Sequence, residues 1–565
     1  MSSADDPGRP AFRIADATPR LTSLLRDDRF LLPILYTIPV LLGFTLLFEL
    51  ADNPFFRLQL SDDAFYLQIA RLWADGGGIG PIPLYFSPLY PAFLTLLAKL
   101  SITSVTAIRV VQVLLGSLSY PIAFVLARRL FGRRAAFFTY VLALGYGVLL
   151  QGMTELVTGW LEVLLTLGIG LLLSGTLSLA ACAAAGALTG LLCLGRPTFA
   201  LFAAVTAACL ALGRFLETSD SARKRLQRAA VFLACVAVPV IPVTIRNVVV
   251  GHDLVFVSTH GGINFFIGNS PGANGTFSAP PGFHEDLTSL NVTDAKNVAE
   301  RLAGRPLSAS QVSRFWFGKG LEFLADNPAR GLKLYGRKIL LLLHSYEVPS
   351  NSSYSTLEEG SGVLQALPVS FALLLVAAIV GVALSVARWE KLFFLYLMLA
   401  LHLGSILIFF VASRFRLPLA GLLAVFAGHA FDAGLSAFSL RRGRLVAVAA
   451  ASGLLVVLLS YPYPMIEEMR RDHAACSFDI MGAYYYDNDM DLAQAESLLQ
   501  RAIAIQPSRK SAHWYLARIL ERRGDLPGAT REWDRASFLY GPGSEWGRIA
   551  AGNRDRLQAA APGAR

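Results

Sequence analysis

Between residues 31 and 461 the chain runs apolar again and again for about the length of a membrane span. A helix crossing the hydrocarbon core needs roughly 20 mostly apolar residues. About eleven windows qualify: 31–50, 106–127, 135–153, 157–174, 177–195, 198–213, 229–246, 364–387, 392–411, 417–437 and 445–461. This pattern leaves few folds open, because a spanning segment must satisfy its backbone internally as a helix or a closed barrel. The windows are too long and too uniformly apolar for barrel strands. The expectation is an all-α polytopic membrane protein. Composition agrees, with 54% of the 565 residues hydrophobic and only 16% charged.

The net charge of +10 admits nucleic acid as a partner, but its placement points elsewhere. Basic residues cluster in the N-terminal tail (Arg20, Arg26, Arg29), in "RRLFGRR" at 128–134, "ARKRLQR" at 222–228, "RWEK" at 388–391 and "RRGR" at 441–444. With the N-terminus inside and the spans alternating, every cluster falls in the cytoplasm, as the positive-inside rule requires. No nucleic-acid partner is needed to explain the charge.

The same alternation places residues 51–105, the loop 247–363 and everything after 461 outside. "LYFSPLYPAFLTLLAKL" (84–100) is greasy enough to span, but counting it would turn Arg128–Arg134 outward. It reads as an interfacial or re-entrant helix. No A-x-A-like site follows the first apolar run, which reads as an uncleaved anchor. The location implied is the cytoplasmic membrane, multi-pass, with the C-terminal region extracytoplasmic.

Three parts follow: a polar cytoplasmic tail at 1–30, a membrane body at 31–461 and a polar, helix-rich region at 462–565. The five cysteines show no C-x-x-C and no pairing pattern, so neither a disulfide framework nor a zinc site is implied. In the last part Asp491, Leu492, Ala495, Leu499, Arg501 and Ala502 recur 34 residues later as Asp525, Leu526, Ala529, Trp533, Arg535 and Ala536. Ala483 and Ala517 share the offset. Small residues at fixed helix positions with this period resemble tetratricopeptide repeats. Two units are few for a stable array, so 544–560 is expected as a capping helix, leaning with the repeats on the membrane body. The repeats are either a packing appendage or a docking site for a protein partner.

The external loop 247–363 divides further. "STHGGINFFIGNSPGANGTF" (258–277) suits a tight, hydrogen-bonded loop. Residues 308–328 read as a helix, with Ser308 and Gln311 at capping-box spacing and Asn327-Pro328 as its stop. A basic helix at 329–347 carries Lys333, Arg337 and Lys338 beside an apolar run, at the outer membrane surface.

Candidate chemistry begins at Asp62 and Asp63, side by side where the first span ends. Acids there complement a helix dipole, and Ser61 can cap. They also suit a catalytic base, since transfer to a hydroxyl or amine needs a carboxylate near the acceptor proton. On a helix Asp62 shares a face with Tyr66 and Ile69. Paired acids facing a dry pocket would also suit a divalent cation, with Asp62, Asp63 or Glu155 as its ligands. No other cofactor is implied.

The order of "DDAFY", the Gly-rich "ADGGGI", "YFSPLYPAFLTLLAKL", "GRPTFALF" (195–202), the 258–277 loop and "SRFRLPL" (413–419) resembles the GT-C-fold glycosyltransferases. Within them it is most similar to glycosyltransferase family 39, with its protein O-mannosyltransferases and aminoarabinose lipid A transferases. The resemblance covers roughly residues 30–460. It implies a polyprenyl-phosphate sugar donor, a lipid, glycan or protein acceptor, transfer outside the cytoplasm and inversion at the anomeric carbon. It maps the catalytic base onto Asp62 and a second acidic position onto Asp63. Where the aminoarabinose branch has a Lys-Pro pair for the donor phosphate, this chain has Ser87-Pro88.

Other cations must therefore meet the phosphate. Arg196, Arg246, Lys338, Arg414 and Arg416 all fall outside by topology, where the positive-inside rule disfavours arginine. A leaving phosphate gains negative charge and needs such groups. Arg414 ranks first, then Lys338 and Arg196, against snorkelling to headgroups as the plain alternative. Glu155 is placed to orient an acceptor. His260, Asn264 and Asn269 are placed to bond sugar or phosphate, or merely their own loop. Glu347 is a weaker candidate, and His344 and His402 read as structural. The sequons at Asn274, Asn291 and Asn351 matter only in a eukaryotic secretory route. A transporter or flippase of lipid-linked sugars is the competing function, and a noncatalytic scaffold the third. Ionisable residues at the outer rim and the lack of a repeat between halves favour transfer over transport.

Overall fold

The computed structural model describes residues 28–57, 62–78, 80–213, 221–278, 292–437, 442–488 and 490–560. The tail before residue 28, the Ser61 cap and the Asn291 sequon lie outside them. Every described element of regular structure is helical.

The membrane body starts with α1 (Asp28–Glu49). The loop after it carries α2 (Asp62–Ala74) and α3 (Leu89–Lys99). Then come α4 (Val105–Gly116), α5 (Ser119–Phe131), α6 (Arg133–Gly145), α7 (Gly147–Gly152), α8 (Gly159–Leu173), α9 (Leu179–Gly195), α10 (Ala200–Leu212) and α11 (Ala222–Val249). The external segment holds α12 (Gly261–Gly268), α13 (Val292–Ala303), α14 (Ala309–Asp326) and α15 (Pro328–Leu343). The body closes with α16 (Phe371–Ser385), α17 (Trp389–Ile408), α18 (Ser413–Ala437) and α19 (Arg442–Ser460).

Each of the eleven apolar windows is helical over most of its length among the described residues. Five helical stretches are long and apolar enough to cross a membrane unaided: Asp28–Glu49, Val105–Phe131, Ala222–Val249, Phe371–Ile408 and Ser413–Ala437. A sixth arises if the pair Val446–Ser460 and Pro464–Asp487, bent by 50°, counts as one. The remaining apolar helices, among them Gly159–Leu173 and Leu179–Gly195, are shorter than a full crossing. The stretch 84–100, expected as an interfacial helix, holds the 11-residue α3.

α18 is the central column. Residues Arg416–Gly428 are buried without a break, with α6, α8, α16 and α5 around them. Glycine permits the close approaches. A Cβ on Gly381 would stand 1.9 Å from the Phe426 carbonyl oxygen, and one on Gly428 would stand 2.2 Å from Thr139 Oγ1. Without a water-driven hydrophobic force between spans, such backbone contact is what holds helices together in lipid. Phe48, Val238 and Ile245 face outward from α1 and α11, as a lipid surface requires.

One end of α18 gathers basic residues from two of the clusters, 128–134 and 388–391. Arg134 pairs with Asp432 at 3.3 Å, Arg128 pairs with Asp28, and Arg388 reaches the Leu130 carbonyl at 3.3 Å. The other end carries Arg414. At 1.5 Å per residue, Arg414 and Asp432 stand roughly 27 Å apart along the axis, close to a hydrocarbon thickness.

The C-terminal part is α20 (Pro464–Asp487), α21 (Leu492–Ile505), α22 (Lys510–Arg523), α23 (Leu526–Tyr540) and α24 (Glu545–Ala560). The 34-residue register is a packing register. Asp491 and Asp525 are the N-caps of α21 and α23 and accept from backbone amides two or three residues on. Ala495, Leu499 and Ala502, and their counterparts Ala529, Trp533 and Ala536, are all buried.

Candidate functional site

The site forms at the Arg414 end of α18, where four stretches of chain meet. α2 brings Asp62, the turn between α7 and α8 brings Glu155, the strap after α15 brings Asn351 and Ser352, and α18 brings Arg414.

Asp62 Oδ2 accepts from Arg414 Nη1. Both side chains keep about a fifth of their surface open, at 20% and 22%. The same Nη1 donates to Asn351 Oδ1 at 3.2 Å. Glu155 Oε1 accepts from Gln151 Nε2 at 2.8 Å and from Ser352 Oγ. Glu155 also lies within electrostatic reach of Arg414. Burial pushes the Glu155 carboxyl up, against the hydrogen bonds from Ser352 and Gln151 that favour its charge.

The two adjacent acids divide. Neighbours at i and i+1 on a helix do not share a face. Asp62 turns to Arg414, while Asp63 turns inward, 9% exposed, within electrostatic reach of Arg109 and Tyr90. Arg109 Nε donates to the Thr154 carbonyl at 2.9 Å. Gln112 Nε2 donates to the carbonyls of Met153 at 3.0 Å and Glu155 at 2.9 Å, and Gln112 Oε1 accepts from the Tyr90 hydroxyl. α4 thus fixes the turn that presents Glu155.

An aromatic wall closes one side. Tyr66 packs edge-on against Tyr90 at 5.5 Å and Phe86 at 6.1 Å, and Phe86 stacks on His260 at 6.0 Å. His260 Nδ1 bonds the Tyr85 carbonyl at 2.8 Å. Burial lowers the His260 pKa, against the Tyr85 carbonyl bond and the Asp62 charge. Tyr66 is pushed up by burial and by Asp62 and keeps its proton.

The basic candidates separate by what already holds them. Arg196 Nε pairs with Glu162 at 2.5 Å and its Nη1 reaches Ser405 Oγ at 3.2 Å. Arg196 and Arg414 flank the Phe415 ring, at 5.2 and 5.0 Å from its centroid. Arg416 is wholly buried, with Glu347 at 3.3 Å and the carbonyls of Leu341 and Tyr346 taking its protons. Lys338 donates to Asn269 Oδ1 at 3.0 Å and the Leu407 carbonyl at 3.1 Å. Asn269 Nδ2 donates to Phe265 and Ile408 carbonyls, both at 2.8 Å. Lys338, Asn269 and Arg416 therefore lock the external segment onto the spans. Arg246 holds the carbonyls of Gly80 and Ile82. Asn264 sits half-buried on α12.

Among the described residues no three His, Cys, Asp or Glu side chains are grouped to hold a metal ion. Of the three acids, Asp62 is held by the Arg414 guanidinium, Asp63 turns inward, and Glu155 is bonded by Gln151 and Ser352.

No protein-family model and no curated protein matches the chain. Among solved structures, the archaeal oligosaccharyltransferase AglB from Archaeoglobus fulgidus, in complex with an inhibitory peptide and a dolichol-phosphate, is similar at 14% identity and a TM-score of 0.41. The match covers 80% of this chain and 58% of that one. The apo form of the Archaeoglobus fulgidus oligosaccharyltransferase gives 16% identity and a TM-score of 0.41, over 78% of this chain and 55% of that one. The chain thus spans less than two thirds of the length of these proteins. At these scores the likeness carries no chemistry over to this chain.

The residues that sequence reasoning passed over are Gln151, Glu162, Arg109, Gln112 and Ser352, with Asn351 read only as a sequon. Glu162 had one available signal, an acid inside the apolar run 157–174. Asn351 and Ser352 had none, because their partners are distant in sequence.

Proposed function

We propose that the protein is a membrane glycosyltransferase that moves a sugar from a polyprenyl-phosphate donor to an acceptor hydroxyl or amine at the outer face of the cytoplasmic membrane. One observation carries this reading: a carboxylate, Asp62, stands beside an arginine, Arg414, at the bundle end opposite the basic clusters. That is where the head of a membrane-anchored donor emerges.

Asp62 takes the acceptor proton. The acceptor atom attacks the anomeric carbon from the face opposite the phosphate, so the centre inverts. The bond from that carbon to the phosphate oxygen breaks, and its electron pair stays on the phosphate. The phosphate gains one negative charge, which Arg414 stabilises, as Asp62 gains one proton. Arg196 lies near the same Phe415 ring and is engaged by Glu162 and Ser405, while Arg414 stands beside the proposed base and keeps an Nε unpartnered among the described residues, so Arg414 is the better placed cation. Glu155, Tyr66 and His260 line the sugar and acceptor space. The tetratricopeptide-like helices offer a surface for a protein partner.

The test uses purified protein in liposomes, radiolabelled polyprenyl-phosphate sugars and a membrane extract as acceptor. Asp62→Asn is expected to lower transfer by about a hundred- to ten-thousand-fold, the range for removing a general base. Equal transfer by wild type and variant would remove the carboxylate mechanism. Label that only changes leaflets would make the protein a flippase.

A further inference from the structure

Arg414 is the cation that Asp62 and a donor phosphate would share. Its Nη1 already donates to Asp62 Oδ2 and to Asn351 Oδ1. Its Nε is buried and has no hydrogen-bond partner among the described residues, and the same holds for Asn351 Nδ2. Buried donors are almost always satisfied, and an orphaned one is costly. Two orphaned donors beside one guanidinium match what a phosphate supplies, several acceptor oxygens around one negative centre.

We propose that Arg414 is an exchange cation: the donor's phosphate takes it from Asp62, so donor binding is what releases the base. This rests on the glycosyltransferase reading above. Before donor binds, the guanidinium holds Asp62 through its Oδ2. When the phosphate engages Arg414, Asp62 loses its nearest positive charge. The remaining neighbours do not replace it. Asp63 adjoins it on α2, and Tyr66, Tyr85 and His260 feel its charge from the aromatic wall. Glu155 lies within electrostatic reach of Arg414, and Glu162, within reach of Tyr66, is already paired with Arg196. Binding order follows: donor first, acceptor second. Free enzyme does not activate acceptor, which also spares an activated base from water.

The two ligands of Arg414 compete, so removing one strengthens the other. The experiment measures binding of farnesyl phosphate, a sugar-free probe, to the full-length protein in nanodiscs. Asp62→Asn is isosteric at a part-exposed position and is expected to bind the probe about tenfold more tightly than wild type, the scale of one charge-assisted contact. Arg414→Gln is expected to weaken binding by at least about tenfold on the same grounds. In the Arg414→Gln background, Asp62→Asn is expected to change nothing further. Asn351→Ala, expected to weaken binding several-fold, keeps the test decisive if either pair variant fails to fold. Unchanged or weaker binding in Asp62→Asn, or unchanged binding in Asn351→Ala, overturns the exchange. If wild type transfers sugar while every variant binds the probe alike, the exchange fails and the transferase reading survives. If wild type does not bind the probe at all, both fall.

Discussion

Arg416 shows how a residue's sequence context can mislead about its work. "SRFRLPL" places Arg414 and Arg416 two residues apart, so a helix turns them about 200° from one another. Arg414 enters the site. Arg416 is fully buried against Glu347, whose other oxygen accepts from the Tyr146 hydroxyl at 2.6 Å, and its charge also lies 4.4 Å from the Phe371 ring centre. A buried ion pair contributes little net stability, but removing one partner strands the other charge at a cost of about 3–5 kcal/mol. Glu347→Ala is therefore expected to lower the thermal midpoint of the detergent-solubilised protein by many degrees. Replacing both partners, as in Glu347→Leu with Arg416→Met, is expected to recover most of the loss. A single variant that melts like wild type would mean the pair is not holding α18 to the external strap.

At the scale of elements, the sequence was most legible where periodicity is set by local physics. Apolar runs became helices because lipid allows little else. The capping box at Ser308 formed, with Gln311 Oε1 accepting from the Ser308 amide at 3.1 Å. The 34-residue register became matched caps and matched buried positions, since each recurrence fixes the same contact between adjacent helices. The site was legible only in half. Asp62 stood out as an acid at a span's end, but Arg414 lies 352 residues away and Ser352 lies 197 residues from Glu155. Such pairings depend on which spans are neighbours, which no local pattern encodes. The register itself is testable. Asp491→Ala and Asp525→Ala each remove a cap and are expected to cost about 1 kcal/mol. Hydrogen exchange on the full chain reads this as faster amide exchange in the first turns of α21 and α23 respectively. Equal exchange in wild type and variants would mean the caps do not define the repeat.

At the scale of the molecule, a strap ties the C-terminal helices to the site. His344 Nε2 bonds the Tyr461 carbonyl at 2.9 Å, the Ser345 amide bonds the Leu459 carbonyl at 2.9 Å, and Tyr346 bonds His473 at 2.8 Å. Farther along, Glu359 meets Arg501 at 3.9 Å. Between these anchors lie Asn351 and Ser352, the partners of Arg414 and Glu155. The tail and the site must then share one side of the membrane, and the basic clusters must occupy the other. The orientation we propose rests on the charge asymmetry: Arg128, Arg134 and Arg388 meet at one end, and the positive-inside rule expects that end in the cytoplasm. In a background with the five native cysteines replaced, Lys319→Cys on α14 and Glu496→Cys on α21 are expected to react with a membrane-impermeant maleimide added to intact cells. Lys391→Cys at the start of α17 is expected to react only after the membrane is opened. The reverse pattern would put Asp62 in the cytoplasm and rule out transfer on the outer face. Labelling of Lys319→Cys and Glu496→Cys on opposite sides would break the link between strap and tail, because one ordered set of hydrogen bonds cannot cross the bilayer.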